Sequence, residues 1–134
     1  MASPYAASRG QLATAAFWER LAAGQMEVQR CADCGHVRFP PTAMCPRCHS
    51  VAFDWTAVSG AGTLWSYTTV RVAPSPELAA EVPYRLGVVQ LAEGPLVLGR
   101  VAGIDDDHDV VIGMDLVVVI DREGDVVRYH FEPG

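Results

Sequence analysis

With 134 residues, half of them apolar, the chain has the size of one domain and enough hydrophobic side chain to close a core, which excludes a disordered tail and a multi-domain enzyme. A formal charge of -6 and a pI near 5.0 speak against a surface built to neutralise phosphates. All ten basic residues are arginine, so Schiff-base lysine chemistry and a phosphate-loop lysine are excluded too.

The longest strongly apolar stretch, residues 116–120, is strand-sized and far short of the roughly 18–20 residues that span a bilayer. Met1-Ala2-Ser3-Pro4-Tyr5 has no basic region leading into an apolar block. A soluble, cytoplasmic chain is expected, and in a reducing compartment four cysteines point to metal thiolates rather than disulfides.

Composition separates three zones: a helical arm over 1–26, a cysteine-bearing segment over 27–54 and an all-β zone over 55–134. In the first, Leu12, Ala16, Phe17 and Leu21 fall near one helical face. Ser8 with Gln11 matches a capping box, and Gly24 supplies a stop. The adjacent Phe17 and Trp18 give this helix two faces to bury, one on its own domain and one available to another protein.

Cys31-Ala32-Asp33-Cys34 and Cys45-Pro46-Arg47-Cys48 form two knuckles ten residues apart. Two residues between cysteines let the backbone curl so that both sulfurs face one ion, and two such turns close a tetrahedral site with no open position. Structural zinc is expected. A rubredoxin-type iron uses the same four thiolates, and Cys45-Pro46-Arg47-Cys48-His49 also matches haem attachment. His36 and His49 border the knuckles as alternative or outer ligands. Val37-Arg38-Phe39 supplies a short strand inside the gap. Phe39-Pro40-Pro41 is held extended, either as a rigid cover for the metal or as a contact surface.

Strands are predicted near 52–58, 63–72, 85–92, 96–102, 115–121 and 125–131, with turns at Gly60-Ala61-Gly62, Glu93-Gly94-Pro95 and Arg122-Glu123-Gly124. Five or six short strands suggest a small barrel. The longest connection, residues 73–84, holds Pro74, Pro76 and Pro83 and is where binding function tends to gather. Period-two spacing places Trp65 and Tyr67 on one face, with Arg71 further along and Arg85 beyond the loop; either arginine can meet a phosphate or a carboxylate. The acidic run 105–109 lacks the glycine and terminal glutamate of a calcium loop and reads as a solvated connection. No nucleophile elbow, zincin helix or nucleotide-binding loop is present.

The order of these parts resembles one family: Phe17-Trp18-Glu19, the first knuckle, Arg38-Phe39-Pro40-Pro41, the second knuckle, then Gly62-Thr63-Leu64-Trp65-Ser66-Tyr67-Thr68. Val82-Pro83-Tyr84, Glu93-Gly94-Pro95 and Ile112-Gly113-Met114 extend the likeness over residues 12–134. It is similar to the zinc-ribbon and OB-fold proteins of acyl-CoA metabolism, domain of unknown function thirty-five, and departs from them at His49, where a glycine is common. The resemblance implies a mainly β chain: an N-terminal helix, a rubredoxin-like zinc ribbon held by Cys31, Cys34, Cys45 and Cys48, and a small OB-fold barrel. It implies no activity of its own but a place in a hetero-oligomer with a thiolase-fold enzyme, a thiolase, an acyltransferase or an aldolase of steroid side-chain breakdown, whose acyl-CoA site it helps shape. Phe17, Trp18, Phe39, Pro40, Pro41, Pro74 and Pro76 are then the expected partner contacts, and Arg71, Tyr84 and Arg85 the expected acyl-CoA contacts. A nucleic-acid-binding OB module and an electron carrier are the competing readings.

Overall fold

The structure, a computed structural model, describes residues 9–134, and it divides into two compact units, one ending at Val58 and one spanning Ser59–Gly134. The expected Ser8–Gln11 capping pair and the Leu12 side chain lie outside the described residues.

In the first unit, helix α1 (Arg9–Ala22) turns Phe17 and Leu21 inward, 2% and 0% exposed, and leaves Trp18 41% exposed. The helix stops where expected: Gly24, at φ +93°, sends the chain back so that the Gln25 N–H donates to the Arg20 carbonyl at 3.1 Å. Strands β1 (Glu27–Cys31), β2 (Val37–Arg38) and β3 (Phe53–Ala57) form an antiparallel sheet in the order β2-β1-β3. The central strand β1 carries the fully buried Val28 and Gln29.

The second unit is a closed five-stranded barrel of β4 (Ala61–Val70), β5 (Tyr84–Leu91), β6 (Leu96–Val101), β7 (Asp115–Glu123) and β8 (Val126–Pro133), ordered β4-β5-β6-β8-β7. Leu64, Val89, Leu91, Val97, Val101, Leu116 and Phe131 fill its interior. The remaining predicted strand, near 52–58, forms as β3 but pairs with β1 over five residues, so the barrel has five strands rather than six.

Two local expectations are corrected. Gly60-Ala61-Gly62 is not a hairpin turn: Ala61 and Gly62 already belong to β4, which pairs with β5 and β7, while β3 is engaged by β1. Trp65 and Tyr67 do not share a face. The β4–β5 register slips between Leu64 and Ser66, and this bulge inserts Trp65 as an extra residue, leaving it 59% exposed while Tyr67 is half-buried opposite the buried Gly87.

Candidate metal centre and docking surfaces

The two knuckles are built alike. In the first, the Cys31 N–H donates to the His36 carbonyl at 2.9 Å and the Gly35 N–H to the Cys31 carbonyl at 3.0 Å. In the second, the Cys45 N–H donates to Ser50 at 2.9 Å and the His49 N–H to Cys45 at 2.9 Å. Each turn thus folds four residues back on its first cysteine, and the Ser50 hydroxyl donates to Asp33 Oδ2 across the two.

All four Sγ atoms lie within 4.8 Å of one another, with Cys31–Cys48 at 3.5 Å and Cys34–Cys45 at 3.6 Å. A tetrahedron with zinc–sulfur bonds of about 2.3 Å has edges of about 3.8 Å, so the thiols are arranged to bind a metal ion. Their acidities agree with that use. The Cys34 backbone N–H, 3.5 Å from Cys31 Sγ, does most to draw the Cys31 thiol down to about 6, against the opposing effect of burial. Cys45 is lowered mainly through the Cys48 backbone N–H. At Cys48 the Ser50 backbone N–H favours the thiolate, but the crowding thiols of Cys31, Cys34 and Cys45 together with desolvation outweigh it and push the value up to about 12. Four sulfurs this close ionise together only around a cation. Among the described residues no histidine joins the cluster, so His36 and His49 are not ligands, and convergence of both knuckles on one point disfavours haem attachment at the second alone.

Beside the metal centre, residues 39–44 are pinned to β1. The buried Gln29 accepts from the Thr42 N–H at 2.8 Å and from Arg38 Nε at 3.0 Å, and returns its own N–H to the Thr42 carbonyl at 2.9 Å. Arg38 is itself buried, with its guanidinium 5.4 Å from the Phe53 ring centre. This clamp holds Phe39 edge-on to Phe17 at 5.4 Å, and Phe17 meets Trp18 at 5.2 Å. Of the expected partner contacts, Phe17 is therefore the buried hub of an aromatic stack. Trp18 and Pro40 are exposed, and Phe39 and Pro41 are half-buried.

In the barrel the structure brings Arg71 and Arg85 together on one carboxylate, Asp107, each at 2.7 Å, with Thr69 Oγ1 at 3.1 Å. Desolvation raises the Asp107 carboxyl, but the Arg85 and Thr69 hydrogen bonds and both arginine charges hold it below the usual carboxylate value. Arg85 also donates to the Ile104 carbonyl and is largely enclosed, whereas the Arg71 side chain is 66% exposed. The acidic run is tied down in this way: Asp106 caps its own turn by accepting from the His108 N–H at 2.9 Å. Tyr84 lies elsewhere, beneath Arg100 at 4.0 Å from the ring centre, and Arg100 pairs with Glu81 at 2.8 Å. Sequence reasoning missed Arg100 and Asp107, because only the strand register and the returning loop bring them beside their partners. Pro74 and Pro76 are exposed on the connection between β4 and β5.

Residues 18–54 match the rubredoxin-like zinc ribbon domain of ChsH2, and residues 55–121 match its C-terminal OB-fold domain. The chain belongs to the ChsH2 (DUF35) family. It is 38% identical over 104 residues to the probable enoyl-CoA hydratase alpha subunit of Thermomonospora curvata, a match covering 77% of this chain but only 32% of that subunit. The chain thus spans about a third of this larger relative. A DUF35 domain-containing scaffold protein of Methanocaldococcus jannaschii is 33% identical, covering 77% of this chain and 76% of the scaffold. Among solved structures, a chain of the Ltp2-ChsH2(DUF35) aldolase superposes with a TM-score of 0.82 at 30% identity, covering 96% of this chain and 98% of the other. The expected zinc ribbon, OB barrel and family are borne out.

Proposed function

We propose that this chain is a non-catalytic accessory subunit that binds a thiolase-fold acyl-CoA enzyme, foremost an aldolase of the kind that cleaves steroid side-chain acyl-CoA esters, and helps form its acyl-CoA site. The superposition over nearly the full length of the aldolase-associated ChsH2 chain carries this reading. The scaffold protein among its relatives supports the absence of turnover by the chain alone.

In this reading Cys31, Cys34, Cys45 and Cys48 hold a zinc ion. The ion supplies no reaction chemistry, since four thiolates fill its coordination sphere; it ties residues 31–48 into a fixed platform. Trp18, Phe39 and Pro40 then form an apolar contact for the partner, kept in place from within by Phe17 and the Gln29–Arg38 clamp. Arg71, the exposed member of the Asp107 pair, meets the anionic part of the acyl-CoA, and Arg85 orients Asp107 behind it. A cytoplasmic setting suits reduced thiols at this spacing.

The test is co-expression with the aldolase subunit encoded in the same genome. The chain alone is expected to show no aldol cleavage, the pair to co-elute and cleave, and Trp18→Ala with Phe39→Ala to weaken the complex about tenfold or more. Turnover by the isolated chain, or failure of the wild-type pair to associate, overturns the proposal.

A further inference from the structure

Among the described residues Arg38 is the charged side chain that is buried, at 4% exposed, and no carboxylate there pairs with it. Its hydrogen bonds go to neutral acceptors: Nε donates to Gln29 Oε1 at 3.0 Å and Nη2 to the Thr42 carbonyl at 3.4 Å. Nη1 is buried and has no hydrogen-bond partner. Taking a guanidinium out of water is costly unless an anion compensates it, so the charge of Arg38 calls for a counterpart.

The ribbon registers show where that counterpart stands. Arg38 lies opposite Gln29, and Phe53 lies opposite Cys31. Opposed residues, and residues two apart on one strand, project to the same face, so Arg38, Gln29, Cys31 and Phe53 share one face of the sheet. On that face the guanidinium reaches from Gln29 to 5.4 Å from the Phe53 ring centre, in the row of Cys31. Thr42, which it also bonds, stands three residues before Cys45. Cross-strand spacings put the charge on the order of 10 Å from the sulfurs. Four thiolates closed on one divalent ion leave two negative charges at that place, and loading makes the site more negative because the thiols give up their protons.

We infer that Arg38 is the buried counter-charge of the metal centre: besides joining the Gln29 clamp, it strengthens zinc binding by holding a positive charge against the four thiolates. This role rests on the zinc reading proposed above. At an effective dielectric constant of about 20, one unit charge at about 10 Å changes a binding ratio by roughly tenfold. Arg30 also reaches the first knuckle, where a Cβ on Gly35 would lie 3.8 Å from its Nη2. Arg30 is exposed, however, so water and salt screen its charge.

Zinc alone is titrated into the full-length chain against a chromogenic chelator. Arg38→Gln, which removes the charge, is expected to bind zinc about tenfold more weakly than the wild type. Arg38→Lys keeps the charge while losing the planar fork, and is expected to stay within about threefold, as is Arg30→Met. A second measurement separates charge from packing. With iron in the same four-cysteine site, reduction turns one negative charge into two, so a buried cation favours the ferrous form, whereas packing has no such preference. Arg38→Gln is expected to lower the midpoint potential by about 59 mV, the equivalent of tenfold for one electron, and Arg38→Lys to leave it near the wild type. Equal potentials in the wild type and Arg38→Gln, or equal losses in the glutamine and lysine variants, overturn the counter-charge and leave Arg38 in the clamp alone, with the zinc site standing. If Arg38→Gln holds no metal, Arg38→Lys decides: affinity and potential near the wild type support the role, and a tenfold loss overturns it. An equal loss in Arg30→Met overturns the part assigned to burial. No zinc bound by the wild type overturns the zinc reading itself.

Discussion

Gly35 and His49 occupy the same place in the two knuckles. Each donates its N–H to the carbonyl of the cysteine four residues earlier, and each is in the left-handed region, at φ +78° and +64°. Glycine adopts that conformation freely, whereas a residue with a Cβ is strained there by about 1 kcal/mol. The departure at His49 thus marks a locally unfavourable residue beside intact ligands. His49→Gly is expected to stabilise the metal-loaded protein by about 1 kcal/mol, and Gly35→Ala to destabilise it by a similar amount. A Cβ at Gly35 meets nothing closer than Arg30 Nη2 at 3.8 Å, so backbone strain alone sets the size. Thermal melts of the two variants check both signs.

Metal removal tests the platform. Elemental analysis is expected to find one zinc per chain, and a chelator to abolish amide-exchange protection at Cys31, Gly35, Cys45 and His49, whose N–H bonds define the knuckles. Structural zinc sites contribute on the order of 10 kcal/mol, and the apolar content of residues 27–54 is too small to replace it. Iron in place of zinc, or retained protection without metal, contradicts the assignment.

The Gln29 clamp is a buried polar feature held by three hydrogen bonds. Gln29→Leu leaves the Thr42 N–H, the Thr42 carbonyl and Arg38 Nε without their shared partner, in a setting that is fully enclosed at Gln29. A loss of about 3 kcal/mol in denaturant titrations is expected, together with faster exchange of the Thr42 amide. A substitution with no effect on either shows that residues 39–44 are held by other means.

Asp107 gives the barrel an acid limb. Its folded value lies below the ordinary 3.8, so the ion pairs with Arg71 and Arg85 contribute fully above that value and are lost as pH falls through the depressed one. Asp107→Asn removes this contribution. Its melting temperature is therefore expected to lie a few degrees below the wild type near neutral pH and to converge with it in acid. A difference that persists unchanged into acid contradicts the ion-pair origin.

Much of the architecture was legible because its signals are local. The C-x-x-C pairs and the glycine after α1 act within a few residues and lie where expected, and the six alternating segments form strands near their predicted bounds. Trp65 was misplaced because strict alternation assumes an unbroken register, and a bulge is set by the partner strand β5. Likewise the segment at 52–58 was a strand as predicted, but its choice of β1 as neighbour depends on residues more than twenty positions away.

By itself the sequence determined the barrel strands, the two C-x-x-C pairs and the family, since knuckle spacing and periodicity are properties of neighbouring residues, whereas the ribbon's central strand β1 was not predicted. Only the tertiary structure decided that Phe17 is interior while Trp18 is surface, that Arg71 and Arg85 share Asp107, and that Leu96 and Leu98 stay exposed on the outer face of β6. These depend on which distant strands and loops return to one place, and no spacing along a single chain encodes that return.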